Sequence, residues 1–154
     1  LRLQDARLQA RLHHLQRQFP SQIHLEHNFS ERLAHKIYGG ADLFLMPSQF
    51  EPCGLGQMIA MRYGALPVVT PTGGLVDTVT DVSHKSKATG FVAANKSAPA
   101  YRDCLKKALR LWSTKTSWNG IQQRAMKKDF SWKTSIKSYV EFYKQAHEWH
   151  AKHI

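Results

Sequence analysis

Two spacings of apolar residues divide the chain. From residue 5 to residue 19, Ala6, Leu8, Leu12, Leu15 and Phe19 recur close to the period of a helix, which Pro20 and Ser21 stop. Ile23-His24-Leu25 reads as a short strand, and Asn28-Phe29-Ser30 as the loop beyond it. Ser30 can cap a helix over residues 31–38, with Glu31 set against the positive end of its dipole and Gly39-Gly40 ending it. The run Leu43-Phe44-Leu45-Met46 is an apolar strand, followed by a helix from about Leu55 to Tyr63 with Gly64 as its stop. Residues 66–70 form a second, β-branched strand. Thr72-Gly73-Gly74 then makes a tight turn into a helix over residues 75–82. Residues 83–89 are polar and predict a mobile surface loop, and residues 90–93 a last short strand. Three helices close the chain, over residues 98–113, 117–128 and 132–150.

Short apolar strands alternating with amphipathic helices predict an α/β fold, a parallel sheet covered on both faces. The 154 residues leave room for one domain with one core, and no internal repeat or second domain boundary is visible. No stretch of 18 or more apolar residues occurs, so no membrane-spanning helix is expected. The opening Leu1-Arg2-Leu3-Gln4-Asp5 lacks Met and the apolar core of a signal peptide, and it reads as cut from a longer polypeptide.

The formal net charge of +11 raises nucleic acid as a partner. Its placement argues otherwise. Residues 101–154 hold 12 Lys/Arg against 4 Asp/Glu, mostly on the outer faces of predicted helices, and no basic run is interleaved with stacking aromatics. Cys53 and Cys104 are too few for a disulfide framework and belong to no metal-ligand pair, so a reducing cytosol is the simplest setting. His147, His150 and His153, like His13 and His14, read as exposed helix positions rather than metal ligands.

Chemistry concentrates in residues 41–57. There the apolar strand runs into a loop with one carboxylate, Glu51, and Pro52, Cys53 and Gly54 lead into the next helix. Open α/β sheets bind ligands at the carboxyl ends of their strands, and the first turn of a helix offers unbonded N–H groups to phosphate. A sugar joined to a diphosphate would satisfy both halves, although a turn that serves packing alone has the same outline. Neither a dinucleotide Gly-x-Gly-x-x-Gly nor a Walker-type Gly-Lys-Ser/Thr is present.

Residues 41–61, with Arg62-Tyr63-Gly64 and Thr72-Gly73-Gly74-Leu75-Val76-Asp77-Thr78-Val79, resemble the glycogen and starch synthases, glycosyltransferase family 5. Ala125-Met126, Asp129-Phe130-Ser131-Trp132, Tyr139 and Tyr143 resemble the end of the same enzymes, so the likeness runs from about Asp5 to about Gln145. It implies a Rossmann-like domain over residues 1–154, the C-terminal, nucleotide-sugar-binding half of a two-domain GT-B transferase without its N-terminal domain. The implied reaction is retaining transfer of glucose from ADP-glucose or UDP-glucose to the non-reducing end of an α-1,4-glucan. No cofactor or metal is implied, and the setting is the cytoplasm or, alternatively, the plastid stroma. By itself this chain is expected to bind nucleotide weakly and to transfer no glucose.

The resemblance assigns parts to individual residues. Glu51 matches the catalytic carboxylate, holding sugar hydroxyls and offsetting positive charge at the anomeric carbon, the alternative being a solvated loop acid. Gly54, Leu55 and Gly56 offer main-chain N–H groups to the distal phosphate, with Cys53 lining the site and Gln57 either bracing the loop or simply packed. Thr72, Gly73 and Gly74 either line the same cleft or make only a tight turn, and Phe29 stacks on the base or else packs against Leu33. Three departures stand out: Gly56 replaces the family's usual Thr, Phe29 a Tyr, and Thr70-Pro71 a basic pair. Many related retaining transferases carry a second Glu eight residues beyond the first; here, as expected for this family, that position is Ile59, so a two-carboxylate hydrolase has no support. The departures keep open a second reading, a non-catalytic glucan-binding or scaffold domain descended from a synthase.

Overall fold

A computed structural model describes residues 5–153. They fall into two compact units, one up to Lys36 and one from Ile37 onward. In the first unit, α1 (Ala6–Gln18) starts where the Asp5 carboxylate accepts the main-chain N–H groups of Arg7 and Leu8. The strand expected at residues 23–25 does not form. Ile23 and Leu25 are half-buried, but so short a run finds no ladder partner among the described residues. The Ser30 hydroxyl accepts the Leu33 N–H as predicted, and α2 (Glu31–Gly40) continues through both glycines.

The second unit is built on a parallel sheet in the order β1 (Leu43–Met46), β2 (Leu66–Val69), β3 (Phe91–Val92). β1 and β2 run in register from Leu43 opposite Leu66 to Met46 opposite Val69. Every residue of β2 is buried. Because successive side chains of a strand point to opposite faces, complete burial means that both faces of this central strand are covered. α3 (Gly56–Tyr63) packs on β1 and β2, and α4 (Gly74–Thr78) packs against α3. α5 (Ala98–Trp112) lies on β2 and β3, and α6 (Lys115–Lys127) against α3 and α5. The core closes around Phe91, whose ring stacks on Trp118 at 6.2 Å with Met61, Leu66, Val68 and Leu75 buried in the same cluster.

The helix expected over residues 75–82 is cut to the five residues of α4, and a single 3-10 turn follows at Val82–His84. β-branched Val79 and Thr80 favour an extended path. There the chain pairs sideways: Thr89 and Gly90 donate N–H groups to the Thr80 carbonyl, and Asp81 bridges to Gly90. Ala88 and Thr89, assigned to a surface loop from sequence, are buried by this pairing.

Asp81 holds the segment together. Its carboxylate accepts the Val92 N–H at 2.9 Å and the Ser83 N–H at 2.8 Å, with Lys107 Nζ 3.7 Å away. Burial pushes its pKa up, but these donors and the lysine together outweigh burial and hold it below the usual carboxylate value. With the folded-state pKa below the unfolded one, the stabilisation is complete above about pH 4 and is lost as pH falls through the folded value. Asp81→Ala is expected to cost about 1.5–3 kcal/mol at neutral pH. In urea unfolding the gap between variant and parent should then narrow as the pH is taken below about 4.

α7 (Trp132–His153) buries none of its residues. Trp132, Ile136, Tyr139, Phe142, Tyr143 and Trp149 stay exposed along it, beside Lys133, Lys137 and Lys144. Among the described residues, no helix is long and apolar enough to cross a membrane.

Candidate active site

The site is built where β1 ends and the chain crosses to α3. Thr70, buried at the end of β2, donates its hydroxyl to the Ser48 carbonyl at 2.5 Å and pins the start of this loop to the sheet. Glu51 is half-buried, and its carboxylate has no hydrogen-bond or ion-pair partner among the described residues. Its main-chain carbonyl lies directly against Gly73, close enough that a Cβ there would overlap it. A Cβ on Gly74 would likewise overlap the Cys53 carbonyl, and the Gly74 N–H donates to the Pro52 carbonyl at 3.3 Å. The loop at residues 51–54 and the turn at 72–74, expected in one cleft, are therefore in backbone contact.

α3 starts directly beyond this loop. Leu55 precedes it without a side-chain cap, and Met58 and Ile59 both donate to the Leu55 carbonyl. The N–H groups of Leu55 and Gly56 have no partner among the described residues. Such orphan donors, at the positive end of a helix dipole, suit phosphate. Gly54 sits at φ +69°, the left-handed region that glycine enters without strain.

Gly56 has its own reason. A Cβ there would come within 3.0 Å of the Phe44 ring and 3.4 Å of the Tyr38 hydroxyl. Phe44 packs on Tyr38 at 5.3 Å, and Tyr38 on Tyr63 at 6.1 Å. A side chain at position 56 would thus require the Phe44 ring to give way by a few tenths of an ångström.

Of the two free thiols, Cys53 is exposed beside Glu51, whereas Cys104 is buried and burial pushes its pKa up to about 11. Gln57 is completely buried behind the loop it follows. Phe29 belongs to the first unit and is 89% exposed, so it is not a packed capping residue there. Where the resemblance leads one to expect basic side chains, Thr70 points back into the loop and Pro71 is half-buried.

On the outer side of α3 a cavity of about 590 Å³ is lined by Leu55, Met58, Ile59, Arg62, Lys128 and Phe130, among others. Asp129 also lines it, but its carboxylate is taken up by the Ser131 N–H and the Thr134 hydroxyl.

Two residues of the site went unnoticed in the sequence. The Thr78 hydroxyl donates to the Gly74 carbonyl at 2.6 Å and accepts from Gln57 Nε2 at 3.0 Å. Its spacing of four from Gly74 is the one at which a helical Ser or Thr bonds back to the preceding turn, so a signal existed. Lys128 Nζ donates to the Thr78 carbonyl at 2.8 Å from fifty residues away, a contact with no local signal.

The family described as Glycosyl transferases group 1 matches residues 4–128. A glycogen synthase of Paracidovorax citrulli is 45% identical over 141 residues, 90% of this chain and 28% of its own length. One from Syntrophotalea carbinolica is 47% identical over 134 residues, 86% of this chain and 28% of its own. The chain therefore spans less than a third of the curated relatives it matches. Among solved structures, the catalytic domain of starch synthase IV from Arabidopsis thaliana, bound to ADP and acarbose, gives a TM-score of 0.77 at 34% identity, covering 92% of this chain and 30% of that one. A sucrose-phosphate synthase from Thermosynechococcus elongatus gives 0.60 at 20% identity, covering 92% and 35%, a likeness of fold alone.

Proposed function

The chain belongs to the group 1 glycosyl transferases, and on that premise we propose that it is the donor-binding domain of a glycogen or starch synthase. The whole protein would transfer glucose from ADP-glucose or UDP-glucose to the non-reducing end of an α-1,4-glucan, with retention of configuration. One observation carries this reading. At the carboxyl end of β1, the unpartnered Glu51 carboxylate and the unbonded N–H groups of α3's first turn stand on one continuous loop. The starch synthase IV domain of similar fold, bound to ADP and acarbose, supports an adenine nucleotide as donor.

In this reading the diphosphate rests on the N–H groups of Gly54, Leu55 and Gly56, each contact at the helix end contributing about 0.3–1 kcal/mol when exposed. Glu51 holds glucose hydroxyls and offsets the positive charge that grows on the anomeric carbon as its bond to the phosphate oxygen breaks. The bonding pair leaves with the diphosphate. The acceptor hydroxyl attacks from the same face, and its proton passes to the departing phosphate oxygen. Gly73 and Gly74 close the cleft beside Cys53 with no side chains in the way. A second domain would bring the acceptor and further basic groups, and the exposed aromatic residues of α7 are the kind of surface that such a domain covers. Two free thiols suit a reducing compartment, the cytoplasm or the plastid stroma.

A second reading, a glucan-binding domain without catalysis, draws on Phe44 filling the space beside Gly56 and on Pro71 standing where a cation is expected. Calorimetric titration of the chain with ADP, UDP and maltoheptaose separates the two. The donor reading expects saturable nucleotide binding with a Kd on the order of 1 mM, about 4 kcal/mol, and no elongation of glucan by this chain alone. Binding of maltoheptaose with no binding of either nucleotide would overturn it in favour of the scaffold.

A further inference from the structure

Gln57 stands out for a polar side chain next to a ligand loop: it is 0% exposed, so it reaches a ligand only through what it holds. Its two Nε2 protons are shared among three acceptors, the Cys53 carbonyl at 3.2 Å, the Gly54 carbonyl at 2.9 Å and the Thr78 hydroxyl at 3.0 Å. Thr78 has one hydroxyl proton and gives it to the Gly74 carbonyl at 2.6 Å, leaving its lone pairs for Gln57. The donors and acceptors close in only one direction, from the amide to the hydroxyl to the turn. Gln57 Oε1, also buried, has no partner among the described residues and faces Gly54, where a Cβ would meet it at 2.5 Å. Turning the amide over would bring that oxygen against two carbonyl oxygens, so its orientation is locked. Filling this space for packing alone needs no amide: an apolar side chain of similar size would do so without stranding a buried acceptor.

The peptide geometry says what the amide accomplishes. No peptide bond in the described chain is cis. In a trans peptide the N–H of one residue points opposite to the C=O of the residue before it. With the Cys53 and Gly54 carbonyls held inward on Gln57, the N–H groups of Gly54 and Leu55 are turned the other way, away from the core. We infer that Gln57 and Thr78 form a positioning pair that fixes the 53–55 peptides and the turn at Gly74 as one unit, presenting the Gly54 and Leu55 N–H groups to an anionic diphosphate. The nature of the anion rests on the donor reading above; the ordering of the loop does not.

Gln57→Met keeps the volume and removes the donor, Thr78→Val keeps the shape and removes the hydroxyl, and Thr78→Ser restores it. Without ligand, NMR order parameters of residues 53–56 and 73–74 should stand near 0.85 in the parent and in Thr78→Ser, and fall below about 0.6 in Gln57→Met and Thr78→Val. In ADP titrations, Gln57→Met and Thr78→Val should bind about tenfold more weakly, with Thr78→Ser within about twofold of the parent. Unchanged order in both Gln57→Met and Thr78→Val, or equal ADP affinity in Thr78→Val and Thr78→Ser, overturns the pair. If Gln57→Met does not fold, the two Thr78 variants carry the comparison. Loss of order with no ADP binding by the parent upholds the positioning pair and sinks the donor reading instead.

Discussion

On the donor-domain reading proposed above, Glu51→Gln is expected to lower glucosyl transfer by the full-length protein roughly 10²–10³-fold, the usual weight of one group aimed at charge that develops in a transition state. The substitution keeps the shape and a hydrogen-bonding oxygen but removes the charge. The fall should therefore appear equally in kcat and kcat/KM, the mark of an interaction made as the reaction proceeds rather than on binding. Its size follows from the surroundings. The carboxylate is half-buried, pairs with nothing among the described residues, and has Ile59 rather than a second acid eight residues on. No neighbouring carboxylate on that helix can stand in for it. Steady-state kinetics on the full-length protein decide the matter: a variant with near-parental kcat removes Glu51 from the chemistry.

Gly73→Ala should be the most damaging small change to the fold of the site. Gly73 lies at φ 45°, ψ −139°, a region closed to side chains, and a Cβ there would overlap the carbonyl oxygen of Glu51. The strained backbone and the overlap with a main-chain atom that cannot swing aside together cost about 3–5 kcal/mol. That is much of the stability of an ordinary domain. Gly40→Ala, where an added Cβ meets nothing within 4 Å, is the control and should change stability by less than about 0.5 kcal/mol. Urea unfolding of the two variants beside the parent measures both. A Gly73→Ala protein as stable as the control would mean that the turn and the Glu51 loop are not held together as described.

The sheet was readable because its signals are local. β1 occupies the four apolar residues predicted for it, β2 the first four of the predicted five, and α3 ends at Gly64 as the glycine signalled. Where local preference competed with long-range pairing, the sequence misled. Residues 23–25 have strand character and no neighbour to pair with among the described residues, whereas the helix expected to run to residue 82 stops before Val79, and residues 80–81 are drawn into pairing with residues 89–90. The site divides the same way. Glu51, the glycines and the helix terminus lie within a few residues of one another and could be read together. The Thr78 link to Gln57, the Thr70 clamp on Ser48 and the Phe44 ring over Gly56 depend on side chains brought together only by folding. The threonine expected at position 56 is a case in point. A Cβ there would press on the Phe44 ring, a contact that only the folded chain brings about.

An amide chemical-shift map of the chain titrated with ADP-glucose tests most directly whether the lone carboxylate and the helix terminus serve one ligand. The largest changes should fall on Gly54, Leu55 and Gly56, with smaller ones at Glu51 and Gly74. Changes concentrated instead on the lysines of α5 to α7, with residues 51–56 unmoved, would contradict it.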